Sequence, residues 1–123
     1  MRARAIIGAC IEVHRHLRPG LLESVYERCL AHELSLRSIA FHRQVSAALE
    51  YKGLVIEPAY RVDFVVEDHV VVEVKAIAAL LPVHEAQLLT YLRVTGIETG
   101  LLINFHVPAL REGGIRRMTL HRK

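Results

Sequence analysis

The chain of 123 residues is 52% hydrophobic and sets 16 Lys and Arg against 13 Asp and Glu, a formal charge of +3. That length and apolar share suit a single domain over residues 1–123 with a core of its own, and argue against a second domain or a disordered chain. The mild basic excess suits a nucleic-acid partner without requiring one.

No apolar run approaches the ~20 residues of a membrane span, and the opening MRARAIIGAC lacks the apolar stretch and small-residue cleavage site of a secretion signal. Cys10 and Cys29 fall on apolar helical stripes, where a free thiol acts as a small hydrophobe. A cytoplasmic protein with reduced cysteines and no membrane partner is expected. The eight histidines include no pair at the i,i+4 spacing of a zinc-binding helix.

Ile6, Ile7, Cys10, Ile11, Val13, His14 and Leu17 recur at helical spacing up to Arg18-Pro19-Gly20, which cannot continue a helix. A second amphipathic helix follows Gly20 and runs to about Arg37, with Leu22, Val25, Tyr26, Cys29, Leu30 and Leu34 as its buried stripe. From Phe41 the period becomes that of strands. Phe41 to Tyr51, a Lys52-Gly53 turn, Leu54 to Ile56, a Glu57-Pro58 break, Arg61 to Val66 and Val70 to Lys75 form a meander. Pro82 suits the first turn of a third helix that Gly96 closes. The apolar run LLINF, Leu101 to Phe105, reads as a strand covered on both faces and parallel to its predecessor. Ile115 to Lys123 is a basic edge strand or tail.

The chemistry concentrates in RVDFVVEDHVVVEVKA. Alternation puts Val71, Glu73 and Lys75 on one face of their strand and Val70, Val72 and Val74 on the other. With Glu67, Asp68 and His69 as the connection, Asp63 stands directly across from Glu73, Cβ atoms ~4.5 to 5.5 Å apart. Two carboxylates that close repel unless a cation lies between them. Hard oxygens from two carboxylates, helped by the backbone carbonyl of Val74, suit Mg²⁺ or Mn²⁺. Lys75, two residues on, is placed to orient water or to meet charge developing on a phosphoryl group. The ordinary alternative is a solvated sheet face with cross-strand ion pairs, but charges amid valines are costly unless used.

Glu23 and Tyr26 lie one turn apart at the margin of helix two, where the carboxylate can reach a metal-bound water and the pair can meet substrate. Favourable interaction with the helix N-terminus is the plain alternative for Glu23. Gln87 and Tyr91 share a face of helix three with His84, suited to phosphate oxygens or bases, or else a polar helix edge.

Gly20-Leu21-Leu22-Glu23-Ser24-Val25-Tyr26 resembles the G-x-x-E-x-x-Y signature of the GxxExxY protein family. IIGACIEVHRHLRPGLLESVYE, RVDFVVEDHVVVEVKA, PVHEAQLLTYLRVTG and GLLINF resemble that family's blocks in the same order. The family is placed in the PD-(D/E)XK nuclease superfamily. The resemblance implies an α/β fold whose core is a helix, a three-strand meander, a helix and a parallel strand, here with an extra N-terminal helix. It implies that Asp63 is the metal-binding aspartate, Glu73 and Lys75 the (D/E)-x-K pair, Glu23 the first-helix carboxylate, and Gln87 with Tyr91 the helix motif after the sheet.

A Mg²⁺-dependent nuclease is therefore expected, acting on DNA by structure or ends rather than by sequence. The alternative is a catalytically silent binding or self-assembling module, with helix one or the LLINF edge region as the association surface. A homodimer or higher homo-oligomer fits either, because the apolar share is high for so short a chain.

Overall fold

The computed structural model describes residues 2–121. In chain order it contains α1 (Arg2–Leu17), α2 (Glu23–Leu36), β1 (Phe41–Tyr51), β2 (Leu54–Val66), β3 (Val70–Lys75), α3 (Pro82–Thr95), β4 (Thr99–Asn104) and β5 (Ile115–Thr119). The strands form one sheet in the order β1-β2-β3-β4-β5. β3 and β4 run parallel, joined by α3, and every other neighbouring pair is antiparallel. This is the expected core of helix, three-strand meander, helix and parallel strand, with α1 as the added N-terminal helix. No helix among the described residues is long and apolar enough to cross a membrane.

The β-branched run of β3 makes it a strand for two covered faces. Val70, Val72 and Val74 pack with Ile6, Cys10, Leu30 and Leu34 of α1 and α2. Val71 packs on the other side with Leu88, Tyr91 and Leu92 of α3. α3 begins at Pro82 and ends at Gly96, whose φ of 75° lies in the left-handed region and whose N–H reaches Leu92 O at 3.1 Å. The β1–β2 hairpin turns through Lys52 and Gly53, both at positive φ, as a two-residue connection requires. The three-residue connection between β2 and β3 sets Val66 opposite Val70.

Three local expectations change, and one is made more definite. β2 does not break at Glu57-Pro58 but runs through it, because the β1–β2 register shifts between Ala47 and Leu49 there. An irregularity of this kind leaves room for a residue without an N–H. Leu22 is no part of the buried stripe of α2; it is the residue before the first helical turn and is 73% exposed. The LLINF strand is not an edge: β5 covers its outer side, and Leu101, Leu102, Ile103 and Phe105 are fully buried. The basic C-terminal segment is an edge strand over Ile115–Thr119, while Arg122 and Lys123 lie outside the described residues.

Tyr26 and Phe105 stack at 4.6 Å with ring planes 8° apart, both fully buried, tying α2 to the end of β4. Phe105→Ala removes that stack and leaves a cavity, so the urea midpoint followed by circular dichroism should report a loss of about 3–5 kcal/mol.

Candidate active site

The backbone ladder between β2 and β3 runs from Val66–Val70 through Val65–Val71 to Phe64–Val72. One step further stand Asp63 and Glu73, the facing pair expected from the sequence. Here side chains take over from the ladder. The Asp63 N–H donates to Glu73 Oε2 at 2.7 Å, and the Val74 N–H donates to Asp63 Oδ2 at 2.9 Å. Each carboxylate is thus held through one oxygen by the neighbouring strand, which fixes its orientation at no cost in buried, unpaired N–H groups. Glu73 is only 3% exposed and Asp63 is half-buried.

Burial is the main reason both carboxyls resist ionisation. The Asp63 carboxyl is raised to about 6, the pull of the Val74 N–H and of Lys75 being outweighed by burial and by Glu27 and Glu23. The Glu73 carboxyl is raised to about 8 by burial and then by the facing Asp63. The Tyr91 phenol is pushed up to about 12 by burial and by the charges of Glu73 and Asp63, so it stays a neutral hydrogen-bond donor.

Lys75 follows on the same strand, half-buried, and its Nζ donates to Gln87 Oε1 at 3.3 Å. Gln87 is exposed on the second turn of α3, and Tyr91 one turn later is buried and meets Tyr60 edge to face at 5.9 Å. His84 does not join them. Its Nδ1 accepts the Leu81 N–H at 2.9 Å and closes the first turn of α3. The chain leaving Lys75 is anchored by Asn104, which is 1% exposed. Its Oδ1 accepts the N–H groups of Ile77 and His106, and its Nδ2 donates to Ile77 O.

From the other side α2 brings carboxylates. Glu23 is exposed at the first position of the helix, close enough for its charge to bear on Asp63. Tyr26, expected at the substrate, turns inward instead: its hydroxyl donates to Arg18 O at 2.5 Å and accepts from Leu21 N at 3.1 Å. Tyr26 therefore shapes the α1–α2 connection. Sequence reasoning passed over Glu27, which is buried, accepts from Gln44 Nε2, pairs with Arg43 at 3.2 Å and bears on both Asp63 and Glu73. Its signal was its position four residues after Glu23 on the inward side of the helix.

Among the described residues, no three His, Cys, Asp or Glu side chains cluster as a protein-only metal cage. Asp63 and Glu73 offer what a hard divalent ion takes when water and substrate complete its shell: two carboxylates with oxygens to share, in a place where a positive charge is wanted. The donor set fits Mg²⁺ or Mn²⁺, and the Val74 carbonyl is the backbone oxygen nearest in sequence to both Glu73 and Lys75.

Without a cation, the folded protein keeps protons on Asp63 and Glu73 where the unfolded chain, at ordinary values of 3.8 and 4.5, has released them. Stability then falls as pH rises from about 3.8 to about 8. Urea titrations in chelator at the two ends of that window should show the loss in the wild type and a clearly flatter response in Glu73→Gln. Equal slopes in the two proteins would remove the buried pair as the cause.

No curated protein and no solved structure matches the chain. A sequence model described as the PD-(D/E)XK nuclease superfamily matches residues 2–118, which include every helix and all of the strands but the last residue of β5. With Asp63, Glu73 and Lys75 at adjoining positions of β2 and β3 inside that span, the chain belongs to the PD-(D/E)XK nuclease superfamily.

Proposed function

We propose that this protein hydrolyses phosphodiester bonds of nucleic acid, DNA in preference to RNA, with Mg²⁺ or Mn²⁺ held by Asp63, Glu73 and the Val74 carbonyl. The observation that carries this reading is the exchange of side-chain bonds at the end of the β2–β3 ladder, which fixes two carboxylates beside Lys75. A bound divalent ion would supply Lewis acidity at a phosphoryl oxygen and acidify the attacking water.

The protein's own groups do the rest. Lys75, steered by Gln87, orients the nucleophile and meets the charge that develops on the phosphoryl oxygens. Glu23, exposed at the start of α2, faces the site as the carboxylate able to take a proton from solvent-side water. Gln87 contacts the substrate backbone, and Tyr91, kept neutral, donates from the wall of the site. We read recognition as directed to ends or structure, because the sequence carries no aromatic cluster or long basic loop to read base edges. The free thiols of Cys10 and Cys29 suit a reducing compartment, and we assign the activity to the cytoplasm.

Cleavage of labelled single-stranded, double-stranded and branched DNA in Mg²⁺ or Mn²⁺ tests the assignment. Glu73→Ala should lose both calorimetric ion binding and cutting. Lys75→Ala should still bind the ion while cutting about 10² to 10³ times more slowly, the usual cost of losing one charge-stabilising donor. A wild type that binds no divalent ion and cuts none of the three substrates refutes the reading.

We also read the tip of the β1–β2 arm as a surface for a second copy of the chain. Leu49, Tyr51, Leu54, Val55 and Ile56 are all exposed there, Leu49 opposite Ile56 and Tyr51 opposite Leu54 across the hairpin. Exposed apolar strand of this kind is costly on a monomer. Sedimentation should show a dimer or larger species in the wild type that shifts to monomer in Val55→Lys; a monomeric wild type at all concentrations rules it out.

A further inference from the structure

Two concavities run end to end along the side of α1 that faces the connection between β4 and β5. The first, of about 400 Å³, is lined by Arg4, Ile7, Arg111 and Arg117. In the second, of about 270 Å³, Ile11, Arg15 and Arg18 face Pro108 and Leu110, and Arg111 lines it as well. Because Arg111 belongs to both, they form one groove. Positions 4, 7, 11 and 15 follow the three-and-four spacing of a single helical stripe, and Arg18 follows directly after the helix ends at Leu17.

The charge of this groove is unbalanced. No Asp or Glu lines either concavity. Among the described residues Arg4, Arg18, Arg111 and Arg117 have no carboxylate partner, and Arg15 alone is paired, with Glu12. Guanidinium groups from a helix, a loop and an edge strand converge without internal neutralisation, as expected of a surface built for an anion with several binding points.

The walls are rigid. His14 Nε2 bonds to Val107 O at 2.8 Å, joining α1 to the connection, and Leu110 is buried in the core. Gly114 closes the loop, its N–H donating to Leu110 O at 3.0 Å. A Cβ there would stand 2.7 Å from Leu110 O and 2.8 Å from Asn104 O, so the closure requires glycine. Arg111 is thereby held over the groove by a loop with little freedom.

The Arg18 end of the groove is tied through the fold to the elements that carry the carboxylates. The Phe105 N–H, where the connection begins, donates to Lys75 O at 2.8 Å. On the opposite wall, Arg18 O and Leu21 N share the Tyr26 hydroxyl, and the chain then enters Glu23, whose charge reaches Asp63.

We propose that this groove binds the sugar-phosphate backbone of the nucleic-acid strand flanking the scissile bond, the arginines on phosphates and Ile7 and Ile11 under the sugars. From Arg4 to Leu17, where it ends, the helix covers about 20 Å at 1.5 Å per residue, the length of about six phosphates of one duplex strand. The proposal rests on the nuclease reading for the identity of the strand, and its test separates the two.

Binding of a fluorescent single strand, long enough to fill site and groove, is measured by anisotropy in chelator, where nothing is cut, over a range of salt. Arg4→Gln, Arg111→Gln and Arg117→Gln combined should weaken binding about tenfold or more. They should also lower the slope of log affinity against log salt by about 2, the share of three contacts on single strands. Arg93→Gln, exposed on α3, should change neither. In cleavage, the triple variant should raise KM for the long strand while kcat stays at the wild-type value. Wild-type affinity and slope in the triple variant overturn the proposal even if the protein cuts DNA. A groove-dependent binder that cuts nothing in any divalent ion keeps the groove and refutes the catalytic reading. No binding of the strand by the wild type overturns the groove outright, and groove-dependent capture of phosphatidylserine vesicles in that case assigns the arginines to lipid headgroups instead.

Discussion

Where β2 leaves β3, the ladder of backbone bonds ends at Phe64–Val72 and the carboxylates of Asp63 and Glu73 supply the next two acceptors themselves. The same two groups thus satisfy buried N–H groups of the sheet and stand ready for a cation. The arrangement costs stability at high pH, since burial and mutual repulsion favour the protonated acids. Replacing either with an apolar residue would leave an N–H of the opposing strand without its partner, so the site and the sheet cannot be optimised separately.

The rest of the structure holds this junction in place. α1 and α2 bury one face of β3, α3 buries the other, and β4 closes its free edge in parallel register, with Lys75 opposite Asn104. Asn104 then anchors Ile77 and His106, so the chain on either side of the lysine and the start of the β4–β5 connection move as one. Tyr26 does the equivalent work on the other side, linking the end of α1 to the start of α2 and stacking on Phe105. The proposed nuclease site and the proposed arginine groove share this plan, each with walls held by these bonds.

Charge is distributed to match. The acidic groups Glu23, Glu27, Asp63 and Glu73 gather where β2, β3 and α2 meet, while unpaired arginines line the outer side of α1 and the β5 edge. On the proposed reading, a polyanion would be repelled from the first region unless a divalent ion were present and attracted to the second regardless, with the ion as the gate to chemistry and the groove as the source of affinity.

Much of this was legible in the order of residues. The periods of 3.6 and 2, the Lys52-Gly53 turn, Pro82 and Gly96 located the helices and strands, because these signals act within a few residues. The three-residue connection and strand alternation were enough to put Asp63 across from Glu73 and both beside Lys75, since a hairpin's register follows from its loop. What acts over longer separations was decided by the tertiary structure. Pro58 continues a strand because Ala47 and Leu49 of its neighbour shift register; the Tyr26 hydroxyl is turned inward by Arg18 and Leu21; Glu27 reaches the carboxylates only when α2 lies across β3. The groove shows the same division most clearly: its arginines at positions 4, 18, 111 and 117 are unremarkable in the chain and become one surface only when the β4–β5 connection folds against α1. Local periodicity and loop length are properties of neighbours in sequence, whereas burial, the shifted acidities of Asp63 and Glu73, and the meeting of distant charges depend on which surfaces exclude water from one another.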